Sequence, residues 1–322
     1  MLRLEPAKVL MCVSPGENFE GALDYTVAEA ERRGCGIHLA LAVRPVWVGP
    51  PEVTDLRLVD GEWRKYGTDF LVEVERRVSR AIGPTVPVSS EITHGSVVPA
   101  LVEVSQNAAI VVMQHHRMDR ARHVRTLSVT NGVAARAHAP VVAVPDSWRE
   151  VGQRSDVIVV GVEDAVSSAR VARWAFEEAQ RLGGSVRLVR AWFFSAAFDG
   201  DVFEGQAGLV HTAYVREEVR REFADLMESF PDVPCEVVAV HGPAADALVA
   251  QSRSHDVRRI VVGRHEPTLP LGSHLGPVTR AVLNHSSCPV VVVDPRGTPA
   301  TTATSRRTPA SASLPGADVR AV

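Results

Sequence analysis

The chain has 322 residues, 45% of them hydrophobic, and a net charge of −3 at neutral pH. That length suits two domains, each large enough for a sizeable core. The near-neutral balance excludes the broad basic field of a nucleic-acid or anionic-membrane binder. No run approaches the ~18 uninterrupted apolar residues of a membrane span.

In chain order, the first segment, Met1 to Val13, carries Arg3, Glu5 and Lys8 and lacks the apolar stretch of a signal peptide. Val9 to Val13 reads as a short strand. A helix follows with Phe19, Leu23, Val27 and Ala30 on one face, and Gly34 stops it. Ile37 to Val43 is the next strand. The segment from Trp47 to Tyr66 is rich in Gly, Pro and Asp and reads as a long connection, either a binding loop or a divergent surface loop. A second helix carries Leu71, Val74, Val78 and Ile82 at spacings of three or four. Val86 to Ile92, Ala109 to Met113 and Val141 to Val144 are further strands, with helices near 97–105 and 128–137. Between them, His115, His116 and His123 stand among Arg117, Arg120, Arg122 and Arg125. With Asp119 as the nearest carboxylate, this loop (114–125) suits a solvated basic surface better than a metal site.

A polar linker covers 146–155. The same alternation then resumes, with strands near Val157–Val162, Val186–Ala191, Cys235–Val240, Ile260–Val262 and Val290–Val293. Phe193 to Val210 is the second long connection. One helix is expected through Val215, Val219, Phe223, Leu226 and Phe230. The tail, 296–322, is rich in Ala, Thr, Ser and Pro and reads as disordered.

The two halves are copies. Leu23-Asp24-Tyr25 matches Ala172-Arg173-Trp174, His94-Gly95 matches His241-Gly242, and Ala139-Pro140-Val141-Val142 matches Cys288-Pro289-Val290-Val291. Ile110-Val111-Val112 likewise matches Ile260-Val261-Val262. The offset stays between 147 and 150 residues, which marks a duplicated domain: 1–145 and 156–295. Strands apolar throughout, alternating with helices, argue a doubly wound α/β architecture with a five-stranded parallel sheet in each copy.

Cys12, Cys35, Cys235 and Cys288 form no C-x-x-C pair and no zinc spacing, which suits a reducing compartment. A cytoplasmic location is expected. No nucleophile elbow, Walker lysine loop or nucleophile–base spacing is present, so no catalytic residue and no metal ligand is assigned.

In such sheets ligands bind beyond the carboxyl ends of the strands. There copy two reads Val261-Val262-Gly263-Arg264-His265-Glu266, then Gly276-Pro277-Val278-Thr279, and closes with Cys288-Pro289-Val290-Val291. Together with Val160-Gly161-Val162-Glu163-Asp164, this layout resembles the universal stress protein family over nearly the whole chain except the tail. The resemblance implies the strand order 3-2-1-4-5 of the adenine nucleotide alpha hydrolase-like fold. It also implies pairing through the last strand, Val141–Val144 against Val290–Val293, as an intrachain pseudo-dimer or as a homodimer.

In family members that bind ATP, an aspartate after the first strand contacts the nucleoside, and a glycine-rich loop cradles the phosphates. The resemblance carries this to Val162, Glu163, Gly263, Arg264, His265 and Gly276. Glycine suits that place because a Cβ would block close approach of phosphate to backbone N–H groups. Copy two keeps Gly263 and Gly276, thirteen residues apart, but holds Glu266 at the middle glycine, Pro277 at the hydroxyl position and Glu163 at the aspartate. Copy one ends its fourth strand Met113-Gln114-His115-His116, with Leu127 at the last glycine, Ser128 after it and Ser14 at the acidic turn, so no cradle is expected there. Two readings follow. One is a non-catalytic regulatory or interaction protein of the stress response; the other is an ATP- or AMP-binding sensor acting through copy two. Weak ATP hydrolysis is a third.

Overall fold

The protein is described here by a computed structural model covering residues 7–43, 56–115, 129–150, 156–193, 206–264 and 275–295. Domain 1 runs β1 (Lys8–Val13), α1 (Glu20–Arg33), β2 (Ile37–Val43), α2 (Leu56–Ile82), β3 (Val88–His94), α3 (Val97–Val104), β4 (Ala108–His115), α4 (Val129–Ala134) and β5 (Val141–Pro145). Domain 2 repeats the order. It runs β6 (Val157–Gly161), α5 (Ala165–Leu182), β7 (Ser185–Trp192), α6 (Gln206–Glu222), α7 (Ala224–Ser229), β8 (Cys235–His241), α8 (Ala244–Gln251), β9 (Val257–Gly263), α9 (Pro277–His285) and β10 (Val290–Val293).

The strands of both domains form one ten-stranded sheet, β3-β2-β1-β4-β5-β10-β9-β6-β7-β8. Each half has the order 3-2-1-4-5, with parallel neighbours inside the half. At the centre β5 and β10 run antiparallel, with Val141, Val142 and Ala143 opposite Val292, Val291 and Val290. Two valine-rich strands that would otherwise be exposed sheet edges thus cover each other.

Alternation along the strands builds one core on each face. Val9, Met11 and Val13 join Ile110, Val112, Val142 and Val291 in a core under α1, α2, α5 and α6. Leu10, Cys12, Val111, Met113, Val141 and Val290 face the other way, towards α3, α4, α8 and α9. Both cores run through the domain boundary without a break. Burial on both faces is why these strands read as continuous apolar runs rather than as alternating ones. The duplication extends to the C-caps of these helices: Gly34 and Gly183 end α1 and α5 with φ of 60° and 65°, a left-handed turn that a Cβ disfavours.

Four expectations about the elements need correction. The connection placed over 193–210 is partly helix, because α6 begins at Gln206. The connection placed over 47–66 is partly helix, because α2 already begins at Leu56; the helix-breaking prolines and glycines lie upstream of it, and Gly61 is tolerated inside. The single helix expected through Phe230 is bent at Phe223, where φ and ψ are −105° and 13°. The bonds Phe223 N–H to Val219 O and Met227 N–H to Phe223 O continue across, so this is a distortion within one helical run. The third strand starts at Val88 rather than Val86, since Pro87 has no N–H and instead offers its carbonyl to Ile37.

Candidate functional site

The crevice of domain 2 lies at the carboxyl ends of β6 and β9, where α5 and α9 begin. Val162 extends β6 by one residue: its N–H reaches Val189 O at 3.0 Å and its side chain is buried. Glu163 is exposed, and its N–H is taken by Ser168 Oγ at 3.0 Å. Asp164 is the N-cap of α5. Its carboxylate accepts from the N–H groups of Val166 and Ser167 at 2.8 and 2.9 Å, and from Ser167 Oγ at 2.6 Å. The bonds from the Ser167 hydroxyl and backbone hold the Asp164 carboxyl below its usual range.

Glu222, from the end of α6, stands near the backbone of Ala165 at that helix start. Arg190 of β7 holds Glu222 there, with Nη1 3.2 Å from Oε1, and this bond lowers the Glu222 carboxyl. The N–H groups of Val166 and Ser167 at the start of α5 therefore end on a carboxylate of the protein itself, with a second carboxylate close by.

The other wall is α9. Gly276 is its N-cap and Pro277 its first residue. Thr279 Oγ1 donates to Gly263 O at 2.8 Å, which ties the helix start to the strand end. Gly263 is glycine for a packing reason as well: a Cβ there would sit 3.1 Å from Val171 Cγ2 of α5. Arg264 leaves the crevice. Its Nε donates to Ala134 O at 2.9 Å, one terminal nitrogen bonds Ala137 O, and the other meets Asp294 at 3.2 Å. The guanidinium thereby caps the carbonyl end of α4 in domain 1. Burial lowers its pKa, and Asp294 only partly opposes this. His265 and Glu266 lie outside the described residues.

Domain 1 is closed at the corresponding place. Gln114 occupies the strand-end position that Gly263 holds in domain 2. Its Oε1 accepts from Ala22 N–H of α1 at 2.9 Å, and its Nε2 donates to Val144 O at 2.9 Å and to Asp146 Oδ1 at 3.2 Å. Asn18 Oδ1 takes the N–H of Glu20. The chain after β5 lies close above: a Cβ on Gly21 would meet Trp148 O at 3.0 Å. Thr130 Oγ1 reaches Gln114 O at 3.3 Å, the counterpart of the Thr279 bond.

The structure thus brings Val162, Glu163, Gly263 and Gly276 to one crevice, while the Arg264 side chain is committed elsewhere. Sequence reasoning missed Asp164, Ser168, Glu222 and Gln114. An Asp followed by an amphipathic run is a cap signal and was legible for Asp164; the others depend on tertiary contact. Of the 114–125 loop, only Gln114 and His115 fall among the described residues, and the tail lies outside them. His241 stacks on Trp192 with ring centroids 4.5 Å apart, next to Gly242, whose N–H bonds Trp192 O.

Burial pushes the Cys12 thiol up to about 12 and the Cys235 thiol up to about 11, so both are protonated at neutral pH. Among the described residues no group of three or more His, Cys, Asp or Glu is placed to hold a metal ion. None of their helices is long and apolar enough to cross a membrane.

The chain was compared with known proteins. The model of the universal stress protein family matches twice, over residues 6–145 and 155–294. Universal stress protein Rv2623 of Mycobacterium tuberculosis is 31% identical over 281 residues, covering 84% of this chain and 91% of that protein. Rv1996 of the same organism is 25% identical over 286 residues, covering 84% and 90%. Among solved structures, a universal stress protein from Archaeoglobus fulgidus DSM 4304 shares the fold with a TM-score of 0.64 at 16% identity, covering 89% of this chain and 98% of that one. With both halves matched and the same strand order in each, this chain belongs to the universal stress protein family as a tandem of two such domains.

Proposed function

We propose that this chain acts in the stress response as a regulatory or interaction protein without catalysis. One observation carries the reading: in both domains, side chains at the crevice are committed to the protein's own backbone. Gln114 fills the one in domain 1. In domain 2 the Asp164 carboxylate takes the N–H groups of Val166 and Ser167 at the start of α5, and Arg264 serves domain 1. A cytoplasmic site of action fits a chain with no helix suited to cross a membrane among its described residues.

A second reading, an ATP- or AMP-binding sensor in domain 2, is favoured by a different feature. Gly263 and Gly276 lie at the crevice, and the Thr279 bond holds the start of α9 against the end of β9. Calorimetric titration of the protein with ATP and Mg²⁺, beside a Gly276→Asp variant, separates the two. Aspartate is a good N-cap, so the variant should fold while placing a negative charge where a phosphate would sit. No heat from either protein at millimolar ATP is the expected result. Binding that the variant loses would replace the first reading with the second.

A further inference from the structure

The seam between the domains holds a buried group of charges that the crevices do not use. Glu29 of α1 and Glu178 of α5 are equivalent residues of the two copies, and both are almost fully buried. Arg259 of β9 lies between them and is itself fully buried; its guanidinium is 3.1 Å from Glu29 and 3.6 Å from Glu178. It also lies over the ring of Tyr25 at 5.2 Å. Arg33 of α1 bonds Glu29 at 2.7 Å and crosses to Glu178 at 2.6 Å. Burial alone would raise the Glu29 carboxyl, but Arg259, Arg33 and Arg32 outweigh it and hold it far below the usual range.

We propose that the lone Arg259 guanidinium seated between Glu29 and Glu178 is a pairing code, by which the seam face of domain 1 accepts domain 2 and disfavours a second domain 1. The partner this face fits is a domain 2 of this same chain type.

The argument is geometric. A group that meets two equivalent glutamates sits close to the pseudo-twofold axis relating the domains. A residue near such an axis can be supplied from one side only. The sheet register shifts the sequence match of Ile110 with Ile260 by one residue, so the counterpart of Arg259 is Ile110: Arg259 pairs with Ile158 on β6, as Ile110 pairs with Val9 on β1. Ile110 is fully buried in the core on the same face of the sheet.

Two copies of domain 1 would bring two Arg33 side chains to two Glu29 carboxylates but two isoleucines in place of the axial guanidinium, leaving a gap where Arg259 lies. Two copies of domain 2 would bring two guanidinium groups to one place and would lose Arg33, whose counterpart is Leu182. Only the unlike pair supplies a single axial guanidinium together with Arg33 bridging the same two carboxylates. Unpaired or crowded buried charge is a strong device for rejecting a partner.

The test is made on the full chain. Arg259→Ile and Ile110→Arg should each lower the melting temperature by about 5–10 °C, since each unbalances a buried charge group. The double variant restores one axial cation from the other side, where Trp174 occupies the position of Tyr25. It should regain at least half of the loss. Losses that simply add, or a double variant that does not fold, would overturn the proposal. Should Arg259→Ile alone fail to fold, the rescue by Ile110→Arg still decides the matter. As a second readout, a protease site placed at 151–155 is cut in the folded protein and the products are weighed by native mass spectrometry. Unlike pairs alone are expected; a statistical mixture of like and unlike pairs would count equally against the code.

Discussion

The crevices of the two domains are built on the same frame and filled in opposite ways. In domain 2 the strand end is small and the facing helix is large, with Gly263 against Val171. In domain 1 the strand end is large and the helix is small, with Gln114 against Ala22. These residues occupy equivalent places in the two copies, so volume has been exchanged across one strand–helix contact, while the helix itself starts four residues earlier in domain 2. The difference also changes the chemistry. At Gly263 the valine of the helix takes up the volume, whereas in domain 1 a glutamine brings its own amide and closes the contact by hydrogen bonding. One fold can thus hold two differently filled crevices.

The sharpest way to break this comparison is at Arg264, a residue of the domain 2 crevice whose side chain serves domain 1. Arg264→Ala removes a charged donor from two carbonyls at the end of α4 and leaves them without it in a largely buried place. Hydrogen bonds to charged groups contribute about 1.5–3 kcal/mol each, so a loss of about 3 kcal/mol is expected in urea denaturation. A change below about 0.5 kcal/mol would mean that the guanidinium is replaceable by water and is free to serve the crevice instead.

Gln114 comes next. Gln114→Ala strips one acceptor and two donor bonds from the closed crevice, and the N–H of Ala22 loses its partner. About 2 kcal/mol should be lost. The compensated variant Gln114→Gly with Ala22→Val copies the arrangement of domain 2. It should lose less than the two single changes together, because valine refills the volume that glutamine leaves. Strictly additive losses, measured by the same denaturation, would show that the two positions do not share one space.

Much of this architecture was legible in the sequence, because it rests on local pattern and repetition. The constant offset between the copies, the apolar runs and the glycine stops after α1 and α5 are all one-dimensional signals. The strand order came from the family resemblance, and the structure has it in both halves. The start of α2 was not legible, since Gly and Pro upstream coloured the whole connection. The contents of the crevices were least legible. Gln114 closes its crevice only because β4 lies beside β5 and α1, and Arg264 finds its carbonyls 127 and 130 residues earlier in the chain. Glycines that resemble a phosphate loop also have a second reason to be there, as Gly263 shows by its closeness to Val171.

The smallest expected effect concerns the start of α5, where Asp164 stands in contrast to domain 1, whose α1 has Phe19 as N-cap and borrows acceptors from Asn18 and Gln114. Asp164→Ala should cost about 1 kcal/mol, the usual effect of losing a side-chain cap. Asp164→Asn keeps an acceptor for the backbone and removes only the charge, so at neutral pH it should cost less. The two variants part company in acid. The folded carboxyls of Asp164 and Glu222 both lie below their unfolded values of about 3.9 and 4.3. Their stabilisation is therefore complete above those values and is lost as pH falls through the lower, folded ones. Stability of the native protein should decline below about pH 4, and Asp164→Asn should flatten part of that decline. Because Asp164 is largely open to solvent, the flattening should be small and should shrink further in high salt. A native acid limb as steep with asparagine as with aspartate would remove Asp164 from the account and leave that limb to other carboxylates such as Glu222.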